Sequence, residues 1–194
     1  MGVVAIAIMM MGCAKERTNE GDALFANGQY AEAVVAYTDY LDVTPRNIKT
    51  LYNRGRAFEE LGKSAEALED YNKVLKLDPD HVKAHLSIGN IYFKESDFEK
   101  AFYEFDKVVT KYRQNDEALM YRGKASQKLG NTREALKDYN LAIQINSQNG
   151  PAFLYRGTLH IYEKRKKSAC ADFQKAKSLG ITEADRAIKK YCGR

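Results

Sequence analysis

The sequence predicts an all-α protein in which five helix pairs stack as a solenoid and a further helix closes the carboxyl end. Three observations predict it. Glycines recur at Gly21, Gly55, Gly89, Gly123 and Gly157, each 34 residues after the last. Twelve residues after each stands an alanine: Ala33, Ala67, Ala101, Ala135 and Ala169. Four residues further on stands a ring: Tyr37, Tyr71, Phe105, Tyr139 and Phe173. A fixed period with small residues at two places and an aromatic at a third is the signature of a repeat array. The units run 14–47, 48–81, 82–115, 116–149 and 150–183.

Within each unit, positions 4, 7, 8 and 11 share one face of a first helix, A. Positions 20, 24 and 27 share one face of a second, B. Gly at position 8 meets Ala at position 20 so that two backbones approach closely, and the ring at position 24 covers the contact. No pair buries its stripe alone, so each completes its neighbour. The second unit is the most regular: LYNRGRAFEELGKSAEALEDYNKVLKLDP holds Leu51, Gly55, Phe58, Gly62, Ala67, Tyr71, Val74 and Pro79 in phase. The turn position, 15, is Gly28, Gly62 and Gly130 but Ser96 and Lys164, and Pro45 is the other proline at position 32. These residues resemble the tetratricopeptide repeat (TPR), a helix–turn–helix unit of this length. The resemblance implies a right-handed α-solenoid of five TPR helix pairs plus a C-terminal capping helix, and a binding function.

Residues 1–12, MGVVAIAIMMMG, are apolar and uncharged, and Cys13 opens a polar stretch. A short apolar run ending in a small residue before Cys resembles a bacterial lipoprotein signal. That resemblance implies a lipid on Cys13, a tether over 13–19 and a membrane anchor. The box reads Met10-Met11-Gly12-Cys13 and lacks a basic flank, departing from the usual form. In the first unit Arg17 and Glu20 stand at positions 4 and 7, which are apolar or semi-buried in the other units, giving the polar outer face of an end repeat. In the third, Asp80 is expected to cap a helix with His81 exposed in its first turn, while His85 takes a core slot. The His81/His85 pair has no third ligand nearby, so no metal or other cofactor is implied.

In the fifth unit Lys164-Arg165-Lys166-Lys167 occupies the A–B turn. Residues 1–115 carry 15 basic and 18 acidic side chains, and residues 116–194 carry 16 and 8, so the positive charge gathers at the carboxyl half. Such an end suits anionic headgroups or an acidic protein better than nucleic acid in an exported chain, and a merely solvated turn remains the plainer account. Ser178-Leu179-Gly180 stops a helix. Thr182 with Asp185 then reads as a capping box for a cap helix over 183–194, striped by Ala184, Ala187, Ile188 and Tyr191. Cys170 and Cys192 are the right count for one disulfide in an oxidising envelope; two small core thiols are the alternative.

Positions 2, 5, 9 and 12 of helix A form a second stripe away from the core, which in the TPR family lines the concave groove. The partner-binding residues expected there are Tyr52, Arg56, Leu86, Asn90, Phe93, Met120, Lys124 and Leu154. Rings and a thioether around a few polar groups suit a peptide or helix. The clamp that some TPR domains use for chaperone tails is excluded, because Thr18, Asp22 and Ser87 stand where Lys, Asn and Arg are required. No phosphate loop or nucleophile elbow is present, and the chain is not expected to be an enzyme. The sequence therefore points to a protein-binding scaffold anchored in the cell envelope, periplasmic or at the outer membrane. The alternatives are a soluble cytoplasmic co-chaperone and a binder of small ligands or cell-wall fragments.

Overall fold

A computed structural model describes residues 20–193. The signal-like stretch, Cys13, Arg17 and Thr18 lie outside them. Among the described residues there are eleven helices and no strand. Helix α1 covers residues 20–26. It is followed by α2 (Tyr30–Val43), α3 (Ile48–Glu60), α4 (Ser64–Leu77), α5 (Val82–Lys94) and α6 (Phe98–Lys111). Then come α7 (Asp116–Lys128), α8 (Thr132–Ile145), α9 (Gly150–Tyr162), α10 (Lys166–Ser178) and α11 (Glu183–Tyr191). No helix of the described residues is long and apolar enough to cross a membrane. The chain forms two compact units, one through Ile88 and one from Gly89.

The recurring glycines stand where helices cross. A Cβ on Gly55 would lie 2.7 Å from the Tyr71 ring, and one on Gly123 would lie 2.8 Å from Tyr139 and 3.2 Å from the Ala135 carbonyl. Gly21, Gly89 and Gly157 press on Tyr37, Phe105 and Phe173 in the same way. The five alanines are fully buried beneath those rings. Three of the rings also reach the next pair: Tyr37 packs with Ala57, Tyr139 with Leu159, and Phe105 stacks on Tyr121 at 5.3 Å.

Two further features repeat at the same interval. The A–B turns carry positive φ at Gly28, Gly62, Ser96, Gly130 and Lys164 (60–81°), so the left-handed backbone persists where glycine is absent. The A helices open on side-chain caps: Asn47, Asn115 and Asn149 accept from the amides of Thr50, Ala118 and Ala152 at 2.8–3.0 Å. In the third unit His81 holds that place, its Nδ1 accepting from Ala84 N at 3.1 Å. This corrects the expectation that Asp80 caps α5. His81 is half-buried against the Tyr52 ring at 5.3 Å, not exposed.

An arginine–aspartate ladder ties the pairs together. Arg54 donates two bonds to Asp70 (2.7 and 2.8 Å) and a third to Thr38 of the preceding pair (3.1 Å). Arg122 does the same with Asp138 and Asp106, and Arg156 with Asp172 and Asn140. The three aspartates are buried, which is tolerable because each meets a planar guanidinium bidentately. Ile88 and Glu104 occupy the corresponding places in the third unit, where Glu104 pairs instead with Lys107 at 2.8 Å.

Helix α11 packs on α10. Ala184 is fully buried with Phe153 and Ala176, and Tyr191 stacks on Phe173 at 6.3 Å. Cys170 and Cys192 are disulfide-bonded, with Cα atoms 5.7 Å apart, fastening the end of α11 to α10. Thr182 makes no side-chain cap. Its own backbone is already helical, and its hydroxyl turns to Glu183, correcting the capping-box expectation.

Candidate functional site

In the unit through Ile88, α1 and α3 present Phe25, Tyr52 and Arg56. The Arg56 guanidinium lies over the Phe25 ring at 4.5 Å and is exposed. Tyr52 is half-buried between Tyr71 and His81, with its hydroxyl 3.5 Å from Ser87 Oγ. Asp22 accepts from Tyr37 (2.8 Å), Asn53 (2.9 Å) and Lys49 (2.7 Å). Burial pushes the Asp22 pKa up, but the bonds from Lys49, Tyr37 and Asn53 outweigh it and hold the carboxyl below its ordinary value. Its polar capacity is therefore used internally. Leu86 is only 6% exposed, so it packs instead of offering itself to a partner.

In the unit from Gly89, α5 supplies Asn90 and Phe93, α7 supplies Met120 and Lys124, and α9 supplies Leu154. Met120 is 5% exposed and, like Leu86, is a packing residue, which corrects its place among the groove residues. Asn90 is engaged with the Tyr121 hydroxyl. The remaining side chains gather. The Lys124 ammonium lies 4.2 Å from the Phe93 ring centre and 5.2 Å from that of Tyr155. Among the described residues it has no carboxylate partner. Burial, with the charge of Lys128 adding to it, holds its pKa below the ordinary lysine value.

Beside Lys124 opens a cavity of about 630 Å³ that sequence reasoning missed. Leu154 and Tyr155 line it from α9, and Arg186, Lys190 and Tyr191 from α11. Sequence patterning made α11 a cap; the structure makes its polar side one wall of a hollow. The signal was present as the basic residues of α11, whose placement depends on the Gly180 turn (φ 85°) and the Cys170–Cys192 bond. The basic turn at Lys164–Lys167 is separate from this cavity, and Arg165 there pairs with Glu163.

His81 Nδ1 faces the Ala84 amide and His85 Nε2 lies 3.0 Å from the Pro79 carbonyl, so the pair is directed at backbone and not at a shared metal position.

Residues 48–81 and 116–149 match family models described as Tetratricopeptide repeat, and residues 21–62 match one described as TPR repeat. No curated protein matches the chain in sequence. Among solved structures, residues 41 to the end of MamA from Desulfovibrio magneticus RS-1 are 22% identical with a TM-score of 0.76, covering 86% of this chain and 94% of that one. PilW, a type IV pilus biogenesis factor, is 19% identical with a TM-score of 0.76, covering 86% and 77%. YrrB, a TPR protein with an unusual peptide-binding site, is 18% identical with a TM-score of 0.68, covering 90% of each chain. At these identities the likeness is one of fold.

Proposed function

We infer that this chain, a tetratricopeptide-repeat protein, is a non-enzymatic interaction scaffold that takes an extended or helical segment of a partner protein on its helix-A faces. One observation carries the reading: Lys124 stands half-buried between Phe93 and Tyr155 with no carboxylate partner among the described residues. Rings offer large contact area at small entropic cost, and a cation set between them fixes register. The peptide-binding site named for YrrB supports the same use of the fold.

A photoreactive residue in place of Phe93, crosslinked in intact cells and followed by mass spectrometry, tests this. The expected result is one dominant polypeptide, lost when Lys124 is replaced. A uniform background from position 93, with specific capture only from outward positions such as Tyr103, refutes the site.

The same proposal sets the scaffold in a bacterial cell envelope, held by a lipid on Cys13. The signal-like residues before Cys13 support it, and so does the Cys170–Cys192 bond, because disulfides persist mainly in oxidising compartments. Cys13→Ala should shift the chain from membrane to soluble fractions; unchanged size and fractionation would refute the anchor.

A further inference from the structure

We propose that the cavity between α11 and the neighbouring faces of α7 and α9 is the docking site for an acidic segment of a partner polypeptide. The inference rests on the scaffold reading and names the chemistry of its ligand. Four cations surround the hollow: Lys124, Lys128, Arg186 and Lys190. None of them has a carboxylate partner among the described residues. This contrasts with Arg54, Arg122 and Arg156, each of which is bound to an aspartate in the same fold. The one acid in the lining is Glu183. Like charges gathered around a concave, partly apolar wall repel one another until an anion enters, so the site favours an acidic ligand over a neutral one.

The shape separates that ligand from other anions. Tyr155, Tyr191 and Leu154 give the hollow an apolar floor. Its volume of about 630 Å³ accepts a few side chains and not a flat lipid surface. Carboxylates would reach the cations at the rim while an aliphatic or aromatic neighbour lies against the tyrosines. Three of the cations, Lys128, Arg186 and Lys190, stand outside the positions of the chaperone-tail clamp excluded above, two of them on α11.

The test is selection of a random dodecapeptide display library on the full-length chain, repeated with Arg186→Glu/Lys190→Glu. These two side chains are exposed and have no carboxylate partner among the described residues, so the variant should keep its fold, as its circular dichroism would show. Peptides from the unaltered chain should be strongly acidic with interspersed apolar residues. They should bind the variant at least about tenfold more weakly and lose affinity as salt rises from about 50 to 200 mM. Enrichment of neutral or basic peptides, or equal binding by the variant, overturns the acidic assignment while leaving the scaffold reading intact. Failure to enrich any peptide counts against the scaffold reading itself. Tighter binding of phosphatidylglycerol vesicles or single-stranded DNA than of the peptides, abolished by the same variant, also overturns the proposal.

Discussion

Arg122 holds Asp138 through two parallel hydrogen bonds, Nε to Oδ2 at 2.8 Å and Nη2 to Oδ1 at 2.7 Å, with the aspartate side chain 3% exposed. Removing one partner strands the other charge in the interior. Arg122→Met should therefore destabilise the chain by about 3–5 kcal/mol. Arg122→Met combined with Asp138→Leu should recover most of that loss, because an apolar pair of similar volume carries no desolvation cost. Denaturant melts of the single and double variants check it; a double variant as weak as the single would mean the pair itself stabilises.

Ser96 and Lys164 hold left-handed backbone (φ 65° and 60°) at turns where Gly28, Gly62 and Gly130 stand elsewhere. A side chain is disfavoured there by about 1–2 kcal/mol, partly offset by the greater freedom glycine has when unfolded. Ser96→Gly and Lys164→Gly should each raise stability, by up to about 1 kcal/mol. Gly62→Ala should lower it by a similar amount. Thermal melts of the three variants would show opposite signs.

Tyr37, Tyr71 and Tyr139 are essentially closed to water and hydrogen-bonded to Asp22, Glu59 and Gln127. Burial raises all three phenol pKa values above the ordinary 10.0, and the Asp22 and Glu59 carboxylates raise two of them further. Their contribution to stability is complete below about pH 10, where the unfolded phenols are protonated too. It falls as pH rises, by about 1.4 kcal/mol per pH unit for each group. Tyrosinate absorbance should show part of the 13 tyrosines titrating only with cooperative unfolding. Smooth titration of all of them before unfolding would contradict this.

Leu86 and Met120 carry their cost in folding, Tyr52 and Phe93 in binding. Leu86→Ala and Met120→Ala should destabilise by about 2–5 kcal/mol. Tyr52→Ala and Phe93→Ala, whose rings are only half-buried, should cost less stability than these and weaken partner capture by about 1–3 kcal/mol. Paired melts and pull-downs separate the two classes.

The Cys170–Cys192 bond closes a separation of 22 residues around α11. Its loss in Cys170→Ser/Cys192→Ser should destabilise by about 3 kcal/mol. Amide exchange over Glu183–Tyr191 should quicken most. If protection there is unchanged, packing alone holds the helix.

The helix pairs were legible because close approach leaves a mark in sequence: Gly123 admits Tyr139 and the Ala135 carbonyl, and no larger residue would. The arginine–aspartate ladder was written with equal regularity, 16 residues from Arg54 to Asp70, Arg122 to Asp138 and Arg156 to Asp172. It went unread because an arginine among apolar neighbours looks only half-exposed until its facing residue is known. His81 stands one period from Asn47 and Asn115, and its imidazole nitrogen replaces their amide oxygen. The burial of Leu86 and Met120 was illegible, since a helical wheel gives the direction of a side chain and not how near the adjoining helix comes. The hollow beside α11 was illegible for a related reason: its far wall is fixed by a turn and a covalent bond.

The third bond of each ladder arginine bears on how such a gene can change length. Arg156 reaches back to Asn140, and Arg122 reaches back to Asp106 from the equivalent place one period earlier. A chain spliced to omit residues 116–149 would hand Arg156 to Asp106 and keep Asp172 at its side, so no interior charge would be orphaned at the join. Recombination in whole periods there would pass unpunished, whereas a cut offset by a few residues would strand a guanidinium.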